Sequence, residues 1–201
     1  MTSLTATAKG AATRDAIIER AYEIARFSGV EGLSIGPLAQ AVGMSKSGVF
    51  AHFGSREDLQ LAVIESAATR FGEAVLIPAL KEPRGLPRLR AVMHHWFEWV
   101  RGNSGGCVLL GSVTEYDDRP GVLRDQVLHN ERRWRSELQR AVQLAIDTKH
   151  LVDGDVEQYV FELYAIPLAV HHAAGLFGFE AARRHGDAAV ERWIASNSPQ
   201  R

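Results

Sequence analysis

SKSGVFAHFGSREDL, residues 45–59, spells two helical segments of very different quality. In the first, Ser45, Ser47 and Gly48 are poor helix formers, Val49 is β-branched, and Phe50 and Phe53 bracket His52. Gly54 ends it. Ser55-Arg56-Glu57-Asp58 then opens the second as a near capping box, with Asp where Glu or Gln is usual. That second segment carries Leu59, Ala62, Val63, Ala67, Phe71 and Ala74 at helical spacing and is expected to stop at Pro78. A helix of such low intrinsic stability must be held by packing. Its small outward residues then serve a purpose other than stability.

Upstream, the pattern is also helical. After a polar N-terminal arm, Thr13 can cap a helix whose apolar face is Ile17, Ile18, Ala21, Tyr22, Ile24 and Ala25, ended by Gly29. Ser34 can cap a short segment with Pro37 in its tolerated first turn and Leu38, Ala39 and Val42 on its apolar side. Gly43 ends that segment. Residues 34–53 therefore read as two short helices joined by a tight turn at Val42-Gly43-Met44-Ser45, a helix-turn-helix.

In such a unit the second helix enters the DNA major groove with its N-terminal residues toward base edges. Small residues let the backbone approach phosphates, and free N–H groups at the helix start attract anions. Ser45 can cap the helix and donate to phosphate, Lys46 supplies charge, His52 offers a donor, and Arg56 is a further phosphate candidate. Phe53 reads as a core residue. Charge distribution is compatible: residues 1–56 hold six basic and four acidic side chains, and the remainder 17 and 20, within a net charge of −1.

The run SIGPLAQAVGMSKSGVFAHFGSREDLQLAV, beginning at Ser34, resembles the DNA-binding domain of the tetracycline-repressor (TetR/AcrR) family of bacterial regulators, and the resemblance covers about residues 13–65. It implies an all-α homodimer of about nine helices. An N-terminal three-helix helix-turn-helix DNA-binding domain would occupy residues 1–56, and a C-terminal ligand-binding and dimerisation domain residues 57–201. It implies binding to a double-stranded, palindromic operator, with major-groove contacts from Ser45, Lys46, Ser47 and Gly48 and with His52 near the backbone. The candidate DNA-contact set is thus Ser34, Ser45, Lys46, Ser47, Gly48, Phe50, His52 and Arg56. Many members carry Tyr where this chain has Phe50, and the missing hydroxyl forgoes a phosphate bond worth about 1 kcal/mol unless Lys46 or Arg56 compensates.

The rest of the chain names no ligand. KEPRGLPR, residues 81–88, is a turn-rich linker, and NSGG, residues 103–106, breaks the chain again. Between them lies an amphipathic helix, and a short apolar helix is expected over Cys107–Tyr116. A long helix is expected from about Pro120 to Lys149, and an apolar one over about 155–184, kinked at Pro167. That last helix is apolar nearly all round, so a second subunit is its simplest cover.

Candidate pocket residues for a small apolar or aromatic effector are Phe71, Met93, Trp96, Phe97, Trp99, Leu110, Tyr116, Trp134, Tyr164 and His171, although aromatics at helical spacing also serve plain core packing. Glu115, Asp117 and Asp118 form an acidic turn suited to a cation or to solvating the next helix start. His94-His95 and His171-His172 lack metal-ligand spacing, so neither a metal nor a cofactor is expected.

A hydrophobic share of 46 % and charged share of 23 % are those of a globular protein, and no stretch of about 18 uninterrupted apolar residues suggests a membrane span. The single cysteine, Cys107, excludes an intrachain disulfide and fits a reducing cytoplasm. The competing readings are a small helical enzyme that uses Cys107 with a histidine, and a ligand-binding module without DNA binding.

Overall fold

A computed structural model describes residues 2–103 and 105–200, so Ser104 of the expected NSGG break lies outside the described residues. The secondary structure is helical throughout these residues: α1 (Thr2–Ser28), α2 (Ile35–Ala41), α3 (Lys46–Phe53), α4 (Arg56–Phe71), a π-helical turn (Gly72–Leu76), α5 (Ile77–Ala79), α6 (Leu86–Gly102), α7 (Val108–Tyr116), α8 (Val122–Asp147), α9 (Val156–Phe177) and α10 (Phe179–Asn197). Because α4, the π turn and α5 are contiguous, they make one helix, and nine helices result among the described residues.

Three boundaries differ from the sequence expectation. α1 runs through Thr13 from Thr2, so the expected polar arm is part of the helix. Pro78 does not stop the fourth helix, because the wider π turn at Gly72–Leu76 lies just before it and the proline falls in the first turn of α5. The apolar segment expected to 184 divides at Gly178, whose φ of 91° is costly for any other residue. α9 closes there with the Gly178 N–H donating to the Ala174 carbonyl at 3.2 Å, and α10 starts. Pro167 lies buried inside α9, which continues through it.

The chain divides into two compact units, and the division is not at residue 56. One unit is the chain up to Thr69 plus Gly106–Asn130; the other is Arg70–Gly105 plus the chain from Glu131 on. The reason is packing. Val108, Tyr116 and Val127, far downstream in sequence, share one core with Ile17, Ala21 and Tyr22 of α1, Leu38 of α2, Val49 and Phe53 of α3, and Leu59 and Val63 of α4.

In the second unit α6 buries Leu89, Val92, Met93, Trp96, Phe97 and Val100, and packs on α9 and α10. Gly186 lets α10 come close: a Cβ there would lie 3.0 Å from the Phe97 ring and 2.5 Å from Val170. Ion pairs Arg183–Glu98 at 2.8 Å and Arg90–Glu191 at 2.6 Å tie α10 to α6. Among the described residues α9 alone is long and apolar enough to cross a bilayer, although it contains no uninterrupted apolar run of about 18 residues. It buries Tyr159, Val160, Leu163, Tyr164, Val170 and Ala174 in this unit and carries Glu157, Glu162, His171 and His172.

Candidate nucleic-acid interface

The turn between α2 and α3 is made by main-chain bonds. The Met44 N–H donates to the Ala39 carbonyl at 2.9 Å and the Gly43 N–H to Gln40 at 3.2 Å, with Gly43 at φ 66°. Ser45 then caps α3: its Oγ accepts the Gly48 N–H at 3.0 Å and shares a hydrogen bond of 3.0 Å with the Ser47 hydroxyl. Val49 and Phe53 anchor one side of α3 in the core, and the Arg14 guanidinium lies 4.9 Å from the Phe53 ring centre. The reading of Phe53 as core holds.

That anchoring turns Lys46, Ser47, Phe50 and Ala51 outward. Phe50 is 42 % exposed. Lys46 lies across Gly36 of α2, where a Cβ would sit 3.2 Å from its Cε and 3.6 Å from its Nζ. The absence of a side chain at Gly36 gives the lysine its place at the mouth of the turn. Ser34 is exposed as the N-cap residue of α2 without a side-chain cap bond, and Gly48 and His52 are half-buried.

Arg56 does not join this face. Its Nε donates to the Leu33 carbonyl at 2.7 Å, its Nη2 to the Glu31 carbonyl, and it pairs with the Glu31 carboxylate at 3.4 Å. At the first residue of α4 it clamps the α1–α2 connection, so it is poorly placed to replace the phosphate bond that Phe50 cannot make. The capping box beside it is half-formed: Ser55 Oγ accepts the Asp58 N–H at 2.9 Å, while the Asp58 carboxylate accepts from the Ser55 hydroxyl at 2.6 Å.

The same connection is held from α7. The Glu115 carboxylate accepts the N–H groups of Val30 at 2.9 Å and Glu31 at 3.2 Å, which ties it to the α1–α2 connection. Tyr116 donates its hydroxyl to Glu31 at 3.0 Å; burial first, and this bond next, raise its pKa well above the usual tyrosine value. Gln60 of α4, itself buried, donates to the Val30 carbonyl at 2.9 Å. No local sequence pattern announces these contacts, because each partner lies tens of residues from the loop.

Of the ten pocket candidates, five converge in the second unit. Phe71 meets Trp96, Trp99 and Trp134 edge to face at 5.6, 5.5 and 4.7 Å, and Trp96 meets Trp134 at 5.0 Å and Tyr164 at 5.2 Å. Tyr164 donates its hydroxyl to Glu131 at 2.8 Å and stacks under Arg135 at 4.2 Å. Met93 and Phe97 are buried on the same helix as Trp96. His171 is half-buried on α9, and burial, then His172, lowers its pKa. Leu110 and Tyr116 belong to the other unit, on α7, and do not join this cluster. The Trp134 Nε1 is buried without a hydrogen-bond partner among the described residues. Cys107 is buried at the N-cap position of α7.

Comparison with known proteins places this architecture. Residues 85–190 match the family described as "Tetracyclin repressor-like, C-terminal domain", and residues 17–63 match "Bacterial regulatory proteins, tetR family". The chain belongs to the tetR family.

Other similarities agree. The HTH-type transcriptional repressor AcnR of Corynebacterium glutamicum is 36 % identical over 63 residues. That match takes in 31 % of this chain and 34 % of AcnR, so it spans about a third of the length of that relative. A TetR transcriptional regulator from Chloroflexus aurantiacus has the same fold, with a TM-score of 0.85, 23 % identity, and coverage of 94 % of this chain and 97 % of its own. AibR, solved with isovaleryl coenzyme A and operator DNA, superimposes with a TM-score of 0.72 at 23 % identity, covering 90 % of this chain and 97 % of its own. The tetR-family helix-turn-helix falls on α2 and α3, inside the matched segment 17–63.

Proposed function

We propose that this chain is a non-enzymatic, cytoplasmic transcriptional repressor that binds a palindromic operator as a homodimer and is released by a small apolar or aromatic effector. The observation that carries the reading is α3 itself. It is anchored by Val49 and Phe53, capped by Ser45, and presents Lys46 and Ser47 to solvent in its first turn and Phe50 one turn later. Ser34, Ser45, Lys46, Ser47, Gly48, Phe50 and His52 remain the proposed contacts, with Lys46 the principal phosphate partner. AcnR is a repressor, and AibR holds both an acyl coenzyme A and operator DNA, which supports a regulator that answers to a ligand.

Dimerisation is supported by the outward face of α9, where Phe161 and Leu176 are each 64 % exposed at helical spacing from Ala165, Ala169 and His172. An apolar surface of this kind is characteristic of a subunit contact. The effector would bind among Phe71, Trp96, Trp99, Trp134 and Tyr164. It releases DNA only if it binds the non-operator conformation more tightly, since equal affinity for both shifts nothing.

The test is fluorescence anisotropy of the purified protein on DNA from upstream of its own gene, across a salt series, with scrambled DNA as control. Tight, sequence-preferring binding with a steep salt slope is expected. Equal binding of both DNAs at every salt would overturn the reading.

A further inference from the structure

The outward face of α3 has a distinctive chemistry. The helix, KSGVFAHF, contains no Asn, Gln, Asp or Glu, the side chains that pair with adenine or cytosine edges in the major groove. Lys46 and Ser47 stand at its start, and one turn later, at helical spacing from them, come Phe50 and Ala51, both exposed. An aromatic ring left 42 % exposed on a capped, core-anchored helix loses apolar burial in the free protein. In the major groove one base group alone rewards an apolar side chain, the C5-methyl of thymine.

We propose that Phe50 is a specificity-determining residue that reads one thymine in each operator half-site through its C5-methyl group, with the Ala51 methyl closing the contact. The inference rests on the operator-binding reading above and deepens it. The absence of a hydroxyl at this position, which forgoes a phosphate bond, is then the counterpart of a base contact: the ring is free to lie against the groove floor without being tethered to the backbone. Lys46, held over Gly36 at the start of the helix, supplies the attraction to phosphate that sets the register of that contact.

The experiment selects sites from a random double-stranded pool with the full-length protein at fixed salt. The enriched site is then synthesised with deoxyuridine replacing thymidine at one position at a time, and affinities are measured for the unaltered protein, Phe50→Ala and Phe50→Tyr. Circular dichroism checks that each variant is folded. One thymine per half-site is expected at which loss of the methyl weakens binding about fourfold, or about sixteenfold with both half-sites replaced. That loss should fall below about twofold in Phe50→Ala, and it should shrink in Phe50→Tyr, whose added hydroxyl ties the ring to a phosphate while tightening binding to all sequences.

Indifference to every replacement, or a sensitive thymine that stays equally sensitive in Phe50→Ala, would overturn the inference while leaving operator binding intact. A pool that yields no enriched sequence would instead overturn the operator reading, and this inference with it.

Discussion

The outward face of α3 and the aromatic cluster of the second unit are both rich in residues that invite a functional reading, yet they are built in opposite ways. On α3 the side chains of interest are exposed, small or flexible, and the helix persists because Val49 and Phe53 are buried on its other side. In the cluster, Phe71, Trp96, Trp99, Trp134 and Tyr164 hold one another edge to face, and Trp96 is only 4 % exposed. A change on α3 should therefore alter binding with little effect on folding. A change in the cluster reaches any ligand only through the stability of the unit. The difference separates a surface open to a partner from a core that would have to rearrange to admit one.

The largest effect is expected from Trp96→Ala, which removes the ring that touches Phe71, Trp134 and Tyr164; about 3–5 kcal/mol of stability should be lost, measured by denaturant unfolding. A loss under about 1 kcal/mol would mean the cluster is loosely packed, and the contrast with α3 would fail. Next comes Phe161→Glu on the outward face of α9. Sedimentation should show a folded monomer in place of a dimer. Leu163, by contrast, is fully buried within the unit, so Leu163→Glu should cost the fold and says nothing about the interface.

Lys46→Ala should weaken operator binding about tenfold and reduce the salt slope by about 1 per subunit, with the unfolding midpoint unchanged. An unaltered slope would remove Lys46 from the phosphate contacts. Ser45→Ala sharpens the comparison from the other side, since it removes the cap on Gly48 and should cost about 1 kcal/mol of stability together with some DNA affinity.

The smallest effect concerns His171, whose pKa burial and His172 hold below the ordinary 6.5. The unfolded chain then binds the proton first as pH falls, so stability should decline below about pH 6.5, and His171→Gln should flatten that decline in thermal unfolding. An unchanged profile would show that the imidazole is as easily protonated in the fold as in water.

Much of the DNA-facing region was legible because its signals are local. A cap at Ser45, a positive-φ glycine at 43 and an apolar pair at Val49 and Phe53 lie within a few residues of one another, and each constrains the same short helix. Ala51 was overlooked there, although its place one turn after Ser47 announces it. The bonds of Arg56 to Glu31 and Leu33 are not legible in the same way, because those partners are more than twenty residues away. The pocket candidates fared unevenly for the same reason. Apolar periodicity shows that Tyr116 and Tyr164 both face inward, but it does not say that they face into different units.

From its sequence alone this chain is determined to be helical, to carry a helix-turn-helix over residues 34–53, and to include there a short helix bearing serine, lysine and phenylalanine. These follow from propensity, capping and spacing, which act over one or two turns. Only the tertiary structure decided that α7 and the start of α8 share a core with α1 to α4, that Glu115 and Arg56 grip the α1–α2 connection, and that five aromatics interlock in the second unit. Such contacts depend on which helices pack together. That choice minimises exposed apolar surface over the whole chain, and no short stretch encodes it.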